Sequence, residues 1–131
     1  MMNSEKQMVR AMGAALSEVE RVAPGLSLGQ LTMFLHIARQ EGVRMTDLSD
    51  LCGRSDTAVS RGVRAMAVAD DPGTLAPAYG LVELLRGVDG RSRHLALTPT
   101  GVELARRLTA VLCADAGANL SGYREEASLE G

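Results

Sequence analysis

One short hairpin is predicted in a chain whose other periodic segments are all helical. Residues 81–85 and 93–97 have the composition of short strands, and Asp89-Gly90 between them is a strong two-residue turn signal. The preceding residues, 70–79, contain two prolines and a glycine, which is typical of a loop. The fold must therefore carry one hairpin near the end of a helical domain.

Five helices are predicted around this hairpin. Each begins at a Ser or Thr whose side-chain oxygen can accept a hydrogen bond from a first-turn backbone N–H. The five start signals are Ser4, Ser27, Thr46, Ser55 and Thr98, the last followed by Pro99. The predicted ends are Pro24-Gly25, Gly42, Cys52, about Val68 and, by fraying, Gly117 with Gly122 beyond it.

Apolar residues at helical spacing predict which faces of the middle helices point inward. These are Leu31, Leu35 and Ala38 with Phe34 alongside, then Leu48 and Leu51, and then Val59, Val63 and Met66. The order of elements is helix, helix, short helix, turn, helix, hairpin, helix. This order predicts a mainly α fold with a small β-hairpin wing, a winged helix-turn-helix.

The chain has 131 residues, which fits a single winged-helix domain over 1–131. A core of this size is small, so long apolar terminal helices favour a partner subunit. We expect residues 27–97 to form the core of this domain, with the wing at 81–97. Residues 4–22 and 98–120 are then the expected dimerisation helices.

The polar face of the fourth helix is the first candidate binding surface. Thr57, Ser60, Arg61 and Arg64 fall within an arc of about 100° opposite the inward face. Arg can bind guanine with two hydrogen bonds, and a helix fits the major groove of DNA. The alternative is a solvated polar face on an ordinary core helix.

The wing is the second candidate surface, since Arg86, Arg91 and Arg93 lie around its turn. Such a finger can reach phosphates or the minor groove, whose negative potential attracts Arg; the alternative is an exposed hairpin with solvated charges. The net charge of −2 is unevenly spread. Residues 42–69 and 81–97 together carry +2 and the rest of the chain −4, so the predicted binding face is locally basic.

Residues 30–108 resemble the core of the MarR family of transcriptional regulators. The matching stretches are QLTMFLHIARQEGVRMTDLSDLCGRSDTAVSRGVRAM and GLVELLRGVDGRSRHLALTPTG. Members of the family carry a Gly-Leu-Val leading into the wing, an Asp-x-Arg in the wing and a Leu-Thr-x-x-Gly leading into the next helix. Here these are Gly80-Leu81-Val82, Asp89-Gly90-Arg91 and Leu97 to Gly101, whereas the loop of residues 70–79 is additional to the family pattern.

The resemblance implies roles for individual residues. Ser55 to Arg64 would enter the major groove, Arg91 would reach the minor groove, and Asp89 would pair with a nearby Arg to brace the wing. It also implies that residues 27–97 form a DNA-binding core and that the terminal helices form a homodimer. Many such proteins respond to a small aromatic ligand, and this sequence neither supports nor excludes an effector.

Other classes of function find little support in the sequence. It has no phosphate-binding loop, no nucleophile motif and no cluster of metal-binding residues, so we expect neither an enzyme nor a cofactor or metal. No signal peptide or membrane-spanning run is recognisable, which favours the cytoplasm. The abundance of Arg over Lys and of Ala is typical of a GC-rich bacterial genome.

Two hypotheses remain. The first is a homodimeric, sequence-specific DNA-binding regulator, expected to act as a repressor, that reads a pseudo-palindromic site. The second is a winged-helix module that binds another protein, as an adaptor or antagonist of another regulator. The acidic net charge and the additional loop favour the second somewhat.

Overall fold

The computed structural model describes residues 3–130, with side chains described as far as residue 114. The elements are α1 (Asn3–Val22), α2 (Leu28–Arg39), β1 (Val43–Arg44), α3 (Met45–Cys52), α4 (Asp56–Ala65), β2 (Val82–Arg86), β3 (Arg93–Leu97) and α5 (Pro99–Glu130). The predicted mainly α fold with a β-hairpin wing is confirmed. Within the described residues, no helix is long and apolar enough to cross a membrane.

The chain forms two compact units. One spans Gly25–Ala105 and holds α2, α3, α4, the sheet and the first residues of α5. The other combines the chain up to Pro24 with the chain from Arg106 onward. In this second unit the Glu18 carboxylate forms ion pairs with Arg21 at 2.8 Å and with Arg107 at 3.9 Å.

Local capping explains where α2 begins, and it does so as predicted. The Ser27 hydroxyl accepts from the Gln30 N–H, and the Gln30 side chain accepts from the Ser27 N–H, which is a complete capping box. The prediction for α1 is wrong by a small amount. Its helical backbone already includes Asn3, so Ser4 lies inside the first turn instead of capping it.

The face that α2 buries differs from the predicted one. Phe34 and Ile37 are fully buried and Met33 nearly so, whereas Leu35 is 44% exposed and is wrongly predicted as inward. The reason is the close crossing of α2 and α4 at Gly62. A Cβ at position 62 would lie 2.8 Å from the Met33 sulfur, so this glycine admits Met33 and fixes the rotation of α2.

The short helix α3 also departs from prediction at both ends. It begins at Met45 with Arg44 in the N-cap position, so Thr46 is not the cap. The earlier start follows from a strand that was not predicted, β1, which leads directly into the helix. Near the other end, Leu48 is fully buried as predicted, but Leu51 is 49% exposed and its inward assignment is wrong.

The recognition-helix candidate α4 ends at Ala65, three residues before the predicted end. The carbonyls that would continue the helix are taken by the following chain. The Ala65 carbonyl accepts from the Tyr79 N–H, and the Met66 carbonyl accepts from the Leu81 N–H. This backbone pairing competes with further helical hydrogen bonds, and no local sequence signal announces it.

The sheet has three antiparallel strands in the order β1-β3-β2. Leu84 lies opposite Leu95 in the hairpin, and Val43 of β1 lies opposite Leu95 on its other side. The hairpin strand β2 is shifted by one residue from its predicted position, since Leu81 precedes it. The root of the wing is therefore paired with β1, before α3, and with Ala67, just after α4.

The last helix begins as predicted and ends later. The Thr98 hydroxyl accepts from the Gly101 N–H at 3.0 Å, and Pro99 is the first helical residue. The predicted fraying after Gly117 is wrong, because α5 continues through Gly122 to Glu130. A helical glycine costs only about 1 kcal/mol relative to alanine. A long helix can therefore continue through Gly117 and Gly122.

We expect opposite effects from two glycine-to-alanine substitutions in helices. Gly101→Ala should lower the free energy of unfolding by about 2 kcal/mol or more, because its Cβ would overlap the Leu81 carbonyl oxygen. Gly13→Ala in α1, where a Cβ meets nothing within 4 Å, should raise it by about 0.5–1 kcal/mol. Urea unfolding followed by circular dichroism measures both changes. Equal effects from the two variants would contradict the close packing at Gly101.

Candidate nucleic-acid interface

The helix-turn-helix is built from α3, a tight turn and α4. Gly53 ends α3 in the left-handed conformation, with φ of 63°, which a residue with a Cβ adopts at a cost. Ser55 then caps α4, since its hydroxyl accepts from the Ala58 N–H at 3.1 Å. Val59 and Val63 are fully buried, as predicted, and this leaves the opposite face of α4 directed outward.

A cleft of about 950 Å³ lies between α4, the start of α3, the loop after α4 and the wing. Its charged lining consists of five arginines and a single carboxylate. These residues are Arg44, Arg64, Arg86, Arg91, Arg93 and Asp71. In a chain with a net charge of −2, this is a concentrated positive surface.

The cleft brings together five of the nine predicted site residues, Ser60, Arg64, Arg86, Arg91 and Arg93. Thr57 and Arg61 are exposed on the same helix but do not line the cleft. Ser55 serves as the cap of α4, and Asp89 lies in the turn of the wing. The two candidate surfaces recognised in the sequence therefore flank one cleft.

Arg44 is a site residue that sequence reasoning missed. It lies in β1 opposite His94 of β3, and this pairing places it beside the wing. Its Nε donates to the Asp47 carboxylate at 3.2 Å, and the side chain remains 57% exposed. In the sequence, β1 is only an apolar residue, Val43, followed by a charged one, Arg44. Two residues are too few for this alternation to predict a strand.

His94 fastens β3 to the chain before β1. Its Nδ1 lies 2.9 Å from the Gly42 carbonyl oxygen. Since a carbonyl can only accept, Nδ1 carries the proton in this contact. The ring of His94 therefore has a role in the sheet.

Two arginines of the wing are direct cross-strand neighbours. Arg86 lies opposite Arg93 at the outer end of the hairpin, and both are exposed. Like charges in this arrangement repel each other and destabilise the strand pair. A polyanion bound across the wing would relieve this repulsion.

The turn of the wing is longer than the predicted two residues. The Gly87 N–H donates to the Ser92 carbonyl at 2.7 Å, which closes a loop over residues 88–91. The Asp89 carboxylate organises this loop by accepting from the N–H groups of Arg91 and Ser92 and from the Ser92 hydroxyl. Its brace is therefore Ser92 and the backbone, in place of the arginine that the family resemblance implied.

These hydrogen bonds favour the ionised form of Asp89. The Ser92 hydroxyl contributes most, followed by the Ser92 and Arg91 N–H groups, and together they lower the pKa of Asp89 to about 2. The carboxylate thus stays charged throughout the pH range in which DNA binding is measured. Within the described part of the chain, no three His, Cys, Asp or Glu side chains form a possible metal site.

Several solved structures are similar to this chain. The MepR–DNA complex of S. aureus is 13% identical over 95% of this chain and 94% of its own, with a TM-score of 0.67. A MarR-family transcriptional regulator from Silicibacter pomeroyi is 22% identical, covering 94% and 80%, with a TM-score of 0.52. PcaV of Streptomyces coelicolor, solved with its natural ligand, is 17% identical, covering 92% and 82%, with a TM-score of 0.54.

The chain has the MarR-type winged-helix fold. The predicted fold is thereby confirmed by structures that share few of its residues. No protein-family model and no curated protein matches the sequence. The likeness therefore concerns the MarR-type architecture.

The residues that carry the sequence resemblance hold this MarR-type fold together. Gly80 has φ of 73°, and Leu81 and Val82 are fully buried. The Thr98 hydroxyl donates to the Gly80 carbonyl at 2.6 Å, and Gly101 packs against the Leu81 carbonyl. These motif residues lie in the framework beneath the cleft.

Replacing Ser92 should raise the pKa of Asp89. In Ser92→Ala the hydroxyl donor is lost, so the pKa should move from about 2 toward the ordinary value of 3.8. Because the pKa is depressed in the folded protein, the order that Asp89 gives the wing is complete above about pH 4. This order should be lost as the pH falls toward 2 in the parent protein. In Ser92→Ala the same loss should occur at a higher pH.

Carboxyl carbon NMR chemical shifts measured against pH give both values. Ser60→Ala is the matched control, because Ser60 lines the cleft but does not contact Asp89. An unchanged Asp89 pKa in Ser92→Ala would contradict this account of the wing.

Proposed function

We propose that the protein is a DNA-binding transcriptional regulator and not an enzyme. The observation that carries this proposal is the arginine-lined cleft, which joins the polar face of α4 to the wing. A locally basic surface on an acidic chain is suited to a polyanion with a defined shape. The similarity to MepR, which was solved with DNA, supports duplex DNA as that polyanion.

In the proposed complex α4 enters the major groove and the wing follows the backbone to the minor groove. Thr57 and Arg61 are exposed side chains of α4 that would contact bases or phosphates in the groove, together with Ser60 and Arg64. Arg91 at the tip of the wing would enter the minor groove. Arg44, Arg86 and Arg93 line the cleft between them and would neutralise phosphates.

A homodimer that reads a pseudo-palindromic operator is part of the proposal. Met8, Val9, Met12 and Leu16 of α1 fall in an arc of about 100° and are 45–59% exposed. Such an apolar stripe is unfavourable in water and suits the same stripe on a second copy. Two copies of α4 about one helical turn apart would then contact two half-sites.

We further propose that the dimer acts as a repressor in the bacterial cytoplasm, since a dimer bound across a promoter excludes other proteins from it. The similarity to PcaV, solved with its natural ligand, supports a small molecule as the signal that changes DNA affinity. A protein-interaction module remains the competing function. Salt separates the two, because contacts to about six phosphates weaken by orders of magnitude between 50 and 200 mM salt.

We expect the purified protein to bind a duplex from around its own gene tightly, with strong salt dependence and in the presence of unrelated competitor. Arg61→Ala should weaken binding to that duplex by roughly 5- to 100-fold and leave binding to unrelated duplex nearly unchanged. Arg91→Ala should weaken both and reduce the salt dependence, because its contact carries less sequence information. Mobility shifts at 50 and 200 mM salt measure all of these.

Arg39→Ala is the matched control, because Arg39 is exposed at the end of α2 and does not line the cleft. Its binding should equal that of the parent. Salt-insensitive or absent binding by the parent would favour the protein-interaction module, and loss of binding in Arg39→Ala would contradict the assigned interface.

Dimerisation should fail when a charge is placed on the α1 stripe. In Met12→Lys the ammonium group would have to be buried against apolar side chains of the second copy, which is strongly unfavourable. Sedimentation equilibrium should show a dimer for the parent and a monomer for the variant at micromolar concentration. Ser17→Lys, a change at an exposed polar position of the same helix, should remain dimeric. A monomeric parent would overturn the proposed dimer.

A further inference from the structure

The side chain of Arg64 is fixed by the loop that follows α4. Its Nε donates to the Gly73 carbonyl at 2.6 Å. Its backbone carbonyl also accepts from the Leu75 N–H at 3.0 Å. The loop therefore holds both the main chain and the guanidinium of one residue.

The loop itself is held by further hydrogen bonds to the end of α4 and the residues after it. The Thr74 hydroxyl donates to the Val68 carbonyl at 2.8 Å, and the Tyr79 N–H donates to the Ala65 carbonyl. Gly73 has φ of 82°, and the guanidinium of Arg64 lies about 3.5 Å from where its Cβ would be. A glycine with this backbone conformation is needed to present the carbonyl to Arg64.

Among the residues that the structure describes, none bonds the terminal nitrogens of Arg64. Only Nε is engaged by Gly73, and Arg64 lines the cleft next to Ser60. The two terminal NH₂ groups supply the paired donors that recognise guanine. An arginine that is already immobilised loses less conformational entropy when it binds than a freely rotating one.

We propose that residues 70–79 act as a positioning element that pre-orients Arg64 as a base-reading residue. The loop then sets the sequence preference at one base pair without having to contact that base pair. This inference rests on the proposed DNA-binding function and assigns a role to the segment that lies outside the MarR-like motifs. Arg61, one turn earlier and exposed, has no such support among the described residues.

The test uses duplexes selected by the parent protein from a random pool, and a random duplex of the same length. Arg64→Ala should lose discrimination by roughly tenfold or more at one base pair of each half-site. Gly73→Ala, which strains the left-handed backbone and disturbs the carbonyl, should lose roughly two- to tenfold at that same base pair. Placed on Arg64→Ala, the Gly73→Ala change should cause no further loss.

Gly42→Ala is the control for backbone strain, since its φ is 91°, a Cβ there meets nothing within 4 Å, and its backbone contacts β3 instead of Arg64. It carries similar backbone strain and should leave discrimination at that base pair unchanged. If Gly73→Ala unfolds the protein, Thr74→Val releases the loop more gently, because the Val68 carbonyl keeps the Asp71 N–H as a donor. Thr74→Val should then reduce discrimination at the same base pair.

A second measurement needs no DNA. In the free protein the Nε proton of Arg64 should exchange with water more slowly than that of Arg61, and Gly73→Ala should remove the difference. Equal exchange in the parent, losses at different base pairs, or additive losses in the double variant would overturn the inference. A parent that selects no sequence at all, while its Arg64 proton is protected, would instead contradict the proposed function.

Discussion

The backbone hydrogen bonds of Leu81 join the end of α4, the start of the wing and the start of α5. Its N–H donates to the Met66 carbonyl at the end of α4, and its own carbonyl accepts from the Thr98 N–H at the start of α5. Gly101 allows α5 to approach that carbonyl closely. The fully buried Leu81 side chain anchors this junction in the core. The angle between the recognition helix and the wing, and hence the shape of the cleft, follows from one short stretch of backbone.

The fold gathers positive charge at one place in a chain whose net charge is negative. Overall the protein is slightly acidic, which by itself argues against a nucleic-acid partner. The sheet and the helix-turn-helix collect five arginines around one cleft, and two of them, Arg86 and Arg93, face each other across the hairpin. Such repulsion is a standing cost to the free protein. Binding of an anion beside these two arginines would reduce the repulsion and stabilise the strand pair.

Local signals in the sequence predict what is locally determined. The Ser27 and Ser55 caps, the hairpin and the buried face of α4 depend on residues within a few positions of one another, and the structure confirms them. The strand β1 escapes prediction because Arg44 finds its partner, His94, fifty residues away. The hydrogen bond from Arg64 to the Gly73 carbonyl could not be predicted for a related reason. The Gly73 carbonyl belongs to the backbone, and sequence patterns say nothing about where a backbone group will be aimed.

The residues that reveal the fold and those that would determine the target are different sets. Leu81, Thr98 and Gly101 join the wing to the final helix, and this role does not depend on which ligand the cleft binds. Arg61 and Arg64 on α4 carry no such structural constraint, and Arg64 depends on a loop that the shared pattern lacks. A change in loop length could therefore alter specificity while leaving the framework intact. Such a separation is compatible with a shared architecture at 13–22% identity, because a fold does not by itself determine the target.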